Sequence, residues 1–207
     1  MKFIQFGCWN KSFCDQYFND LSDSEIYSPM THVMYNINNL VNREEFDFLI
    51  ISGDNYYPTS LKKTLNTKEL KFKLFNYKNF YSGFACLNNI NIRKYLLFGN
   101  HEINDEVISS NLPTDEILKL KSFKCISLIA QQDIPKNLDN NLVIFNSVLH
   151  EYDESEKTLL IMIDTTIYEK VKNPECYKII FNNQNIDIET IKKIKLDLII
   201  NILNNFE

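Results

Sequence analysis

An α/β fold built around a parallel sheet follows from three features of this 207-residue sequence. Phe48, Leu49, Ile50 and Ile51 form an unbroken apolar run, the pattern of a strand buried on both faces, and it stops at Gly53 and Asp54. Tyr95 to Phe98 repeats the design and stops at Gly99, Asn100, His101 and Glu102. Ahead of the first run, Val33, Met34, Ile37, Leu40 and Val41 recur at helical spacing over Thr31 to Val41. With Lys2 to Trp9 as an initial strand, the order strand, helix, strand is that of a parallel crossover unit.

Taken in order, the remaining elements are as follows. Met1 to Trp9 is interrupted by Gln5 and lacks a small-residue cleavage site, so it reads as a strand and not as a signal peptide. Asp15 to Tyr27 is polar with scattered aromatics and reads as a loop. His32, at the start of the first helix, has no motif around it and reads as a cap-region or exposed side chain. After Pro58, the Leu, Phe and Tyr residues of Leu61 to Phe84 fall mainly at helical spacing, with the lysines on a solvated face. Thr114 to Leu120 has the form of a capped helix start. Lys124 to Ala130, Leu142 to Leu149 and Leu159 to Ile163 read as strands, with His150 closing the second of them. Asp187 caps a last helix on which Ile188, Ile191, Ile194, Leu198 and Leu203 fall broadly on one face.

Length and composition suit one soluble domain over residues 1–207. The net charge of -5 argues against a basic nucleic-acid footprint. No run approaches the roughly 18 apolar residues that a membrane span requires. Cys8, Cys14, Cys86, Cys125 and Cys176 are odd in number, far apart and without a C-x-x-C pair. Free thiols in a reducing compartment, and hence an intracellular location, are the expectation.

Open α/β sheets place ligands at the carboxyl ends of their strands. That edge here receives Asp54 and Tyr57 from one strand, and Asn100, His101 and Glu102 from the other. G-D-N-Y-Y at Gly53 to Tyr57 and G-N-H-E at Gly99 to Glu102 resemble the second and third motifs of the calcineurin-like metallophosphoesterases. The Tyr three residues after the Asp resembles the purple acid phosphatase branch, which includes the tartrate-resistant enzymes. The resemblance implies a sandwich of β-sheets flanked by helices, of which the C-terminal part is not matched here. It implies two metal ions, Fe, Zn or Mn, that activate water for attack on the phosphorus of a phosphate ester. It also implies Asp54 as a bridging ligand, Tyr57 as a phenolate ligand, Asn100 as a ligand of the second ion and His101 as the group assisting the leaving oxygen. I-D-T-T at Ile163 to Thr166 resembles a further family segment, without a metal role.

Two departures bear on the chemistry. F-G-C-W-N stands where the branch has a motif resembling G-D-W-G, so Cys8 occupies the place of a metal-binding Asp. A thiolate is softer than a carboxylate and prefers zinc or similar metals; the other reading is a strand-end Cys buried as a small hydrophobe. The family's later His ligands are not matched either, since His32, His101 and His150 are the three in the sequence and His150 precedes the relevant strand. One expectation is therefore a split enzyme, completed by a polypeptide that carries the His motifs. The alternative is a catalytically degenerate phosphoesterase fold serving as a binding or structural module, with Asp54 and Asn100 merely capping turns. Tyr56 reads as a packing residue, and Glu102 has no assigned role.

Overall fold

A computed structural model describes residues 1–9, 29–65, 68–75, 77–104, 106–109, 123–132, 140–145, 148–168, 174–181 and 185–206. The expected loop over Asp15 to Tyr27 and helix over Thr114 to Leu120 lie outside them. The strands and helices in chain order are β1 (Phe3–Phe6), α1 (Pro29–Arg43), β2 (Phe48–Ile51), β3 (Thr59–Leu65), β4 (Lys68–Phe75), α2 (Tyr77–Asn88), β5 (Arg93–Leu97) and α3 (Asn100–Asn104). After these come β6 (Glu106–Ser109), β7 (Phe123–Lys124), α4 (Ile126–Gln132), β8 (Leu142–Phe145), β9 (Val148–Asp153) and β10 (Thr158–Ile163). A 3-10 turn (Thr166–Tyr168), α5 (Glu175–Ile180) and α6 (Ile188–Asn204) complete the series.

The central sheet has the order β1-β2-β5-β8 and is parallel throughout. All four residues of β2 are buried, as its unbroken apolar run predicts. Their side chains alternate between two cores. Leu49 and Ile51 pack with Met34 of α1 and with Phe80, Phe84 and Leu87 of α2. Phe48 and Ile50 pack on the opposite face with Tyr95, Leu97 and Met162 of β10. Each such apolar side chain is worth about 1.5–3 kcal/mol relative to exposure. The second face is covered by the antiparallel pair β9-β10. This is the expected α/β arrangement, a parallel sheet with helices on one side and a second sheet on the other.

Three sequence expectations are corrected. Leu61 to Phe75 is not helical: β3 and β4 form a hairpin in register Leu61↔Phe72 and Lys63↔Leu70, and helix begins only at Tyr77. The alternation Leu70, Lys71, Phe72, Lys73, Leu74 has the period of a strand, and it outweighs the looser helical spacing. Lys124 to Ala130 is not a strand. β7 ends at Lys124, Cys125 takes a left-handed φ of 64°, and α4 follows. Leu142 to Leu149 is not one strand but parts of two, β8 in the central sheet and β9 in the small one, so His150 lies within β9 and does not close it.

Cys125 and Cys176 form a disulfide, so the free-thiol expectation fails for that pair; Cys8 and Cys86 are free. The bond joins the turn that precedes α4 to α5, inside a core that also contains Phe98, Ile103, Tyr177 and Ile191. No described helix is long and apolar enough to cross a membrane.

The last helix departs from its expected face. Asp187 caps it as predicted, accepting from the Thr190 N–H at 2.8 Å, and Ile188 and Ile191 pack inward. Ile194, Leu198 and Leu203 are exposed, and the buried place belongs to Lys195. The Lys195 ammonium bonds the Asp164 carboxylate and carbonyl, each at 2.8 Å. Asp164 also accepts from the Thr166 N–H at 3.0 Å. The I-D-T-T segment therefore anchors α6 through a fully buried ion pair. Removing one partner of such a pair leaves an uncompensated charge, at a cost of about 3–5 kcal/mol.

Tyr95 ties the two sheets together, its hydroxyl donating to Glu151 of β9. Burial first, and the Glu151 carboxylate second, push the phenol up to about 12. A folded value above the ordinary one of about 10 gives stability that is complete below pH ~10 and lost as pH rises through ~12. In denaturant titrations at fixed pH, the wild type is expected to lose about 2 kcal/mol more than Tyr95→Phe across that window. Equal slopes for the two proteins would contradict the sheet-to-sheet bond.

Candidate metal centre

The carboxyl ends of β1, β2 and β5 deliver Gly7 and Cys8, Gly53 and Asp54, and Gly99 to His101 to one edge of the parallel sheet. Glycine is required where these turns meet. Gly53 has φ of +93°, and a Cβ there would lie 2.9 Å from the Gly99 Cα. A Cβ on Gly99 would lie 2.1 Å from both the Asp54 amide nitrogen and its Oδ1. The two motifs thus touch backbone to backbone, and Asp54 fills the space that the missing side chain leaves.

One carboxylate locks this contact. Glu102 is buried, and its Oε1 accepts the N–H groups of Asn55 at 2.8 Å and Tyr56 at 3.1 Å. Its Oε2 accepts the Gly99 N–H at 2.7 Å. Burial pushes the carboxyl up to about 7 against the opposing pull of these donors, of which Gly99 is the strongest. Asn55 extends the lock. Its amide donates to the Leu97 carbonyl at 2.6 Å and to Gln131 at 3.0 Å, and its oxygen accepts from the Trp9 indole at 3.0 Å. Ends of β1, β2 and β5 and helix α4 are thereby held by a single buried network.

Asp54, itself at φ of 52°, stands at the centre of the exposed side of this edge. Its Oδ1 accepts the His101 N–H at 3.2 Å. Its Oδ2 accepts the Tyr57 hydroxyl at 3.0 Å and faces the Cys8 Sγ at 3.7 Å. The Tyr57 phenol is raised well above its usual range, by burial first and then by its bonds to Cys8 and Asp54. Its ring lies 4.7 Å from the His101 ring. Asn100 opens α3 beside Gly99 and is half-buried.

The five residues singled out in the sequence, Cys8, Asp54, Tyr57, Asn100 and His101, therefore fall on one edge. Cys8 is exposed, so its reading as a buried small hydrophobe is corrected. Tyr56 is fully buried against Phe80, a packing residue as expected. His150 sits away from this edge, in a cleft with Tyr152, Leu198 and Phe206. Glu102 and Asn55 were not identified as positioning residues, because nothing local in the sequence shows that their partners are backbone groups of a distant turn.

The donor set is unequal for two ions. Around Asp54 stand the thiol of Cys8 and the neutral phenol of Tyr57, so only Cys8 and Asp54 bring together side chains of the kinds that commonly hold a metal, too few for an ion on their own. For a second ion the described residues offer Asp54 and the neutral amide of Asn100, which does not amount to a site. No three His, Cys, Asp or Glu side chains gather among the described residues.

Replacing Glu102 by Ala should strand three buried N–H groups and lower stability by about 3 kcal/mol or more in urea unfolding. Glu102→Gln keeps one acceptor oxygen and should lose less. An alanine variant as stable as wild type would contradict the lock.

No curated protein and no solved structure gives a match to the chain. The family model described as calcineurin-like phosphoesterase matches residues 1–195, which runs from β1 into the first half of α6 and takes in all three strand ends of this edge. With those strand ends and that match together, the chain belongs to the calcineurin-like phosphoesterase family.

Proposed function

We propose that the Asp54 edge is the working centre of a phosphomonoester hydrolase on the purple acid phosphatase side of its family. The observation that carries this reading is the convergence of Cys8, Tyr57 and the His101 turn on the two oxygens of one carboxylate. Tyr57, three residues after Asp54, is the feature shared with that branch. When bound, metal ions at such a centre activate water and screen the phosphate charge. The protein's own residues do the rest. Asp54, fixed by the Glu102 lock, orients the ligands around its two oxygens. His101, packed on Tyr57 at the rim, donates a hydrogen bond or proton to the leaving oxygen.

The remaining ligands of a second ion are assigned to a polypeptide segment that supplies imidazoles. The small sheet is compatible with this: among the described residues β10 pairs with β9 alone.

With p-nitrophenyl phosphate as probe, Asp54→Asn should lose both bound metal and hydrolysis. His101→Asn should lower kcat about 10²–10⁴-fold with metal content unchanged. Hydrolysis that survives Asp54→Asn would contradict the assignment, and metal binding without any hydrolysis would favour the binding-module alternative. Co-purification from the natural source should recover an imidazole-bearing polypeptide that raises the metal content of the complex above that of the chain alone. Recovery of none would count against the completing segment.

A further inference from the structure

We propose that the β3–β4 hairpin is a polyphosphate-recognising face beside the candidate centre, so that the preferred substrate is a small phosphate ester whose leaving group carries further phosphate. The inference rests on the phosphoesterase reading of the Asp54 edge and deepens it by naming the substrate class. Residues 59–75 hold five lysines and a single acidic residue, Glu69, in a chain whose net charge is -5. A local reversal of sign this strong draws an anion to one place on an otherwise repelling molecule.

The path of the chain puts this hairpin at the centre. β3 begins two residues after Tyr57, and β6 begins five residues after His101. Both belong to one sheet of order β3-β4-β6-β7, in which β4 pairs with β3 on one side and with β6 on the other. The sheet is therefore rooted on both motif turns. A chain spans at most about 3.6 Å per residue and paired strands lie about 5 Å apart, so the backbone of Lys73, opposite Ser60, falls within roughly 16 Å of Tyr57.

Strand alternation sorts the lysines. Ser60, Lys62 and Thr64 share one face with their partners Lys73, Lys71 and Glu69, whereas the other face is mainly leucine and phenylalanine, with Lys63 and Lys68. Lys62 stands directly opposite Lys71, and Lys73 follows two residues on, about 7 Å along β4. Like charges directly opposite on paired strands destabilise the pair, and an anion bound there offsets that cost. Across β6 and β7 the row of Lys73 continues with Val107 and Phe123, which carry no charge. Three cations over so short a span match two or three linked phosphates, while the overall negative charge disfavours a long polyanion such as nucleic acid.

The test is calorimetric titration of the metal-free purified chain, at low salt, with inorganic tripolyphosphate and with orthophosphate. Tripolyphosphate is expected to bind at least about tenfold more tightly. Changing Lys62→Gln, Lys71→Gln and Lys73→Gln together should abolish that preference, and arginine at the same three positions should keep it. Lys63→Gln with Lys68→Gln, on the opposite face, should leave it intact. Should the triple glutamine variant fail to fold, Lys73→Gln alone is expected to weaken tripolyphosphate about two- to fivefold. Equal affinity of the wild type for the two anions, or an equal loss in the Lys63 and Lys68 variant, would overturn the lysine face. Hydrolysis is read separately. Turnover of p-nitrophenyl phosphate without a tripolyphosphate preference sinks this inference and spares the hydrolase reading, whereas the preference without turnover in the completed complex spares the lysine face and sinks that reading.

Discussion

The Glu102 carboxylate is the constraint on which the candidate centre depends. Its two oxygens take three backbone N–H groups, from Asn55, Tyr56 and Gly99, that belong to turns after different strands. Buried backbone donors without partners are costly, so these turns adopt their shape only together. The glycine contact between Gly53 and Gly99 adds a steric half to the same lock. Asp54 then has little freedom: its φ is left-handed, its Oδ1 is tied to the His101 turn, and its Oδ2 is left to face Cys8 and Tyr57. The geometry of this carboxylate is therefore set by the fold before any ligand arrives.

Much of this was readable in the sequence, for physical reasons that also mark where reading stops. β2 is apolar throughout, Tyr95 to Phe98 carries the same run through the end of β5, and a glycine soon follows each, a pattern with one ready explanation in a parallel sheet. The Asp187 cap is local and was legible for that reason. The β3–β4 hairpin was read as helix because lysines interrupt both periodicities, and only strand pairing separates them. The outer half of α6 looked like a packed face, yet Ile194, Leu198 and Leu203 are exposed while Lys195 is buried. No hydrophobicity pattern reveals that a lysine has found Asp164 thirty-one residues away. The Cys125–Cys176 bond is equally a matter of tertiary proximity, and sequence spacing carries no trace of it. It removes that pair from the free-thiol argument for a reducing compartment.

The site joins a backbone scaffold with one exposed thiol at its rim. Strand ends, glycines and the Glu102 lock shape the edge, and Cys8 adds one exposed sulfur beside Asp54. These two levels are separable. The lock acts through backbone groups and is indifferent to the sulfur, and the sulfur acts through one exposed atom and is indifferent to the core. Changes at Cys8 should accordingly leave the fold intact, while changes at Glu102 should disturb it.

Amide hydrogen exchange measured by NMR on the metal-free protein tests the central claim most directly. If Glu102 locks the two turns, the amides of Asn55, Tyr56 and Gly99 will exchange as slowly as those of β2 and β5, because they open only when the sheet does. Exchange at these three amides as fast as in exposed loops, with the strands still protected, would show that the turns move independently and that the fold does not hold Asp54 in place.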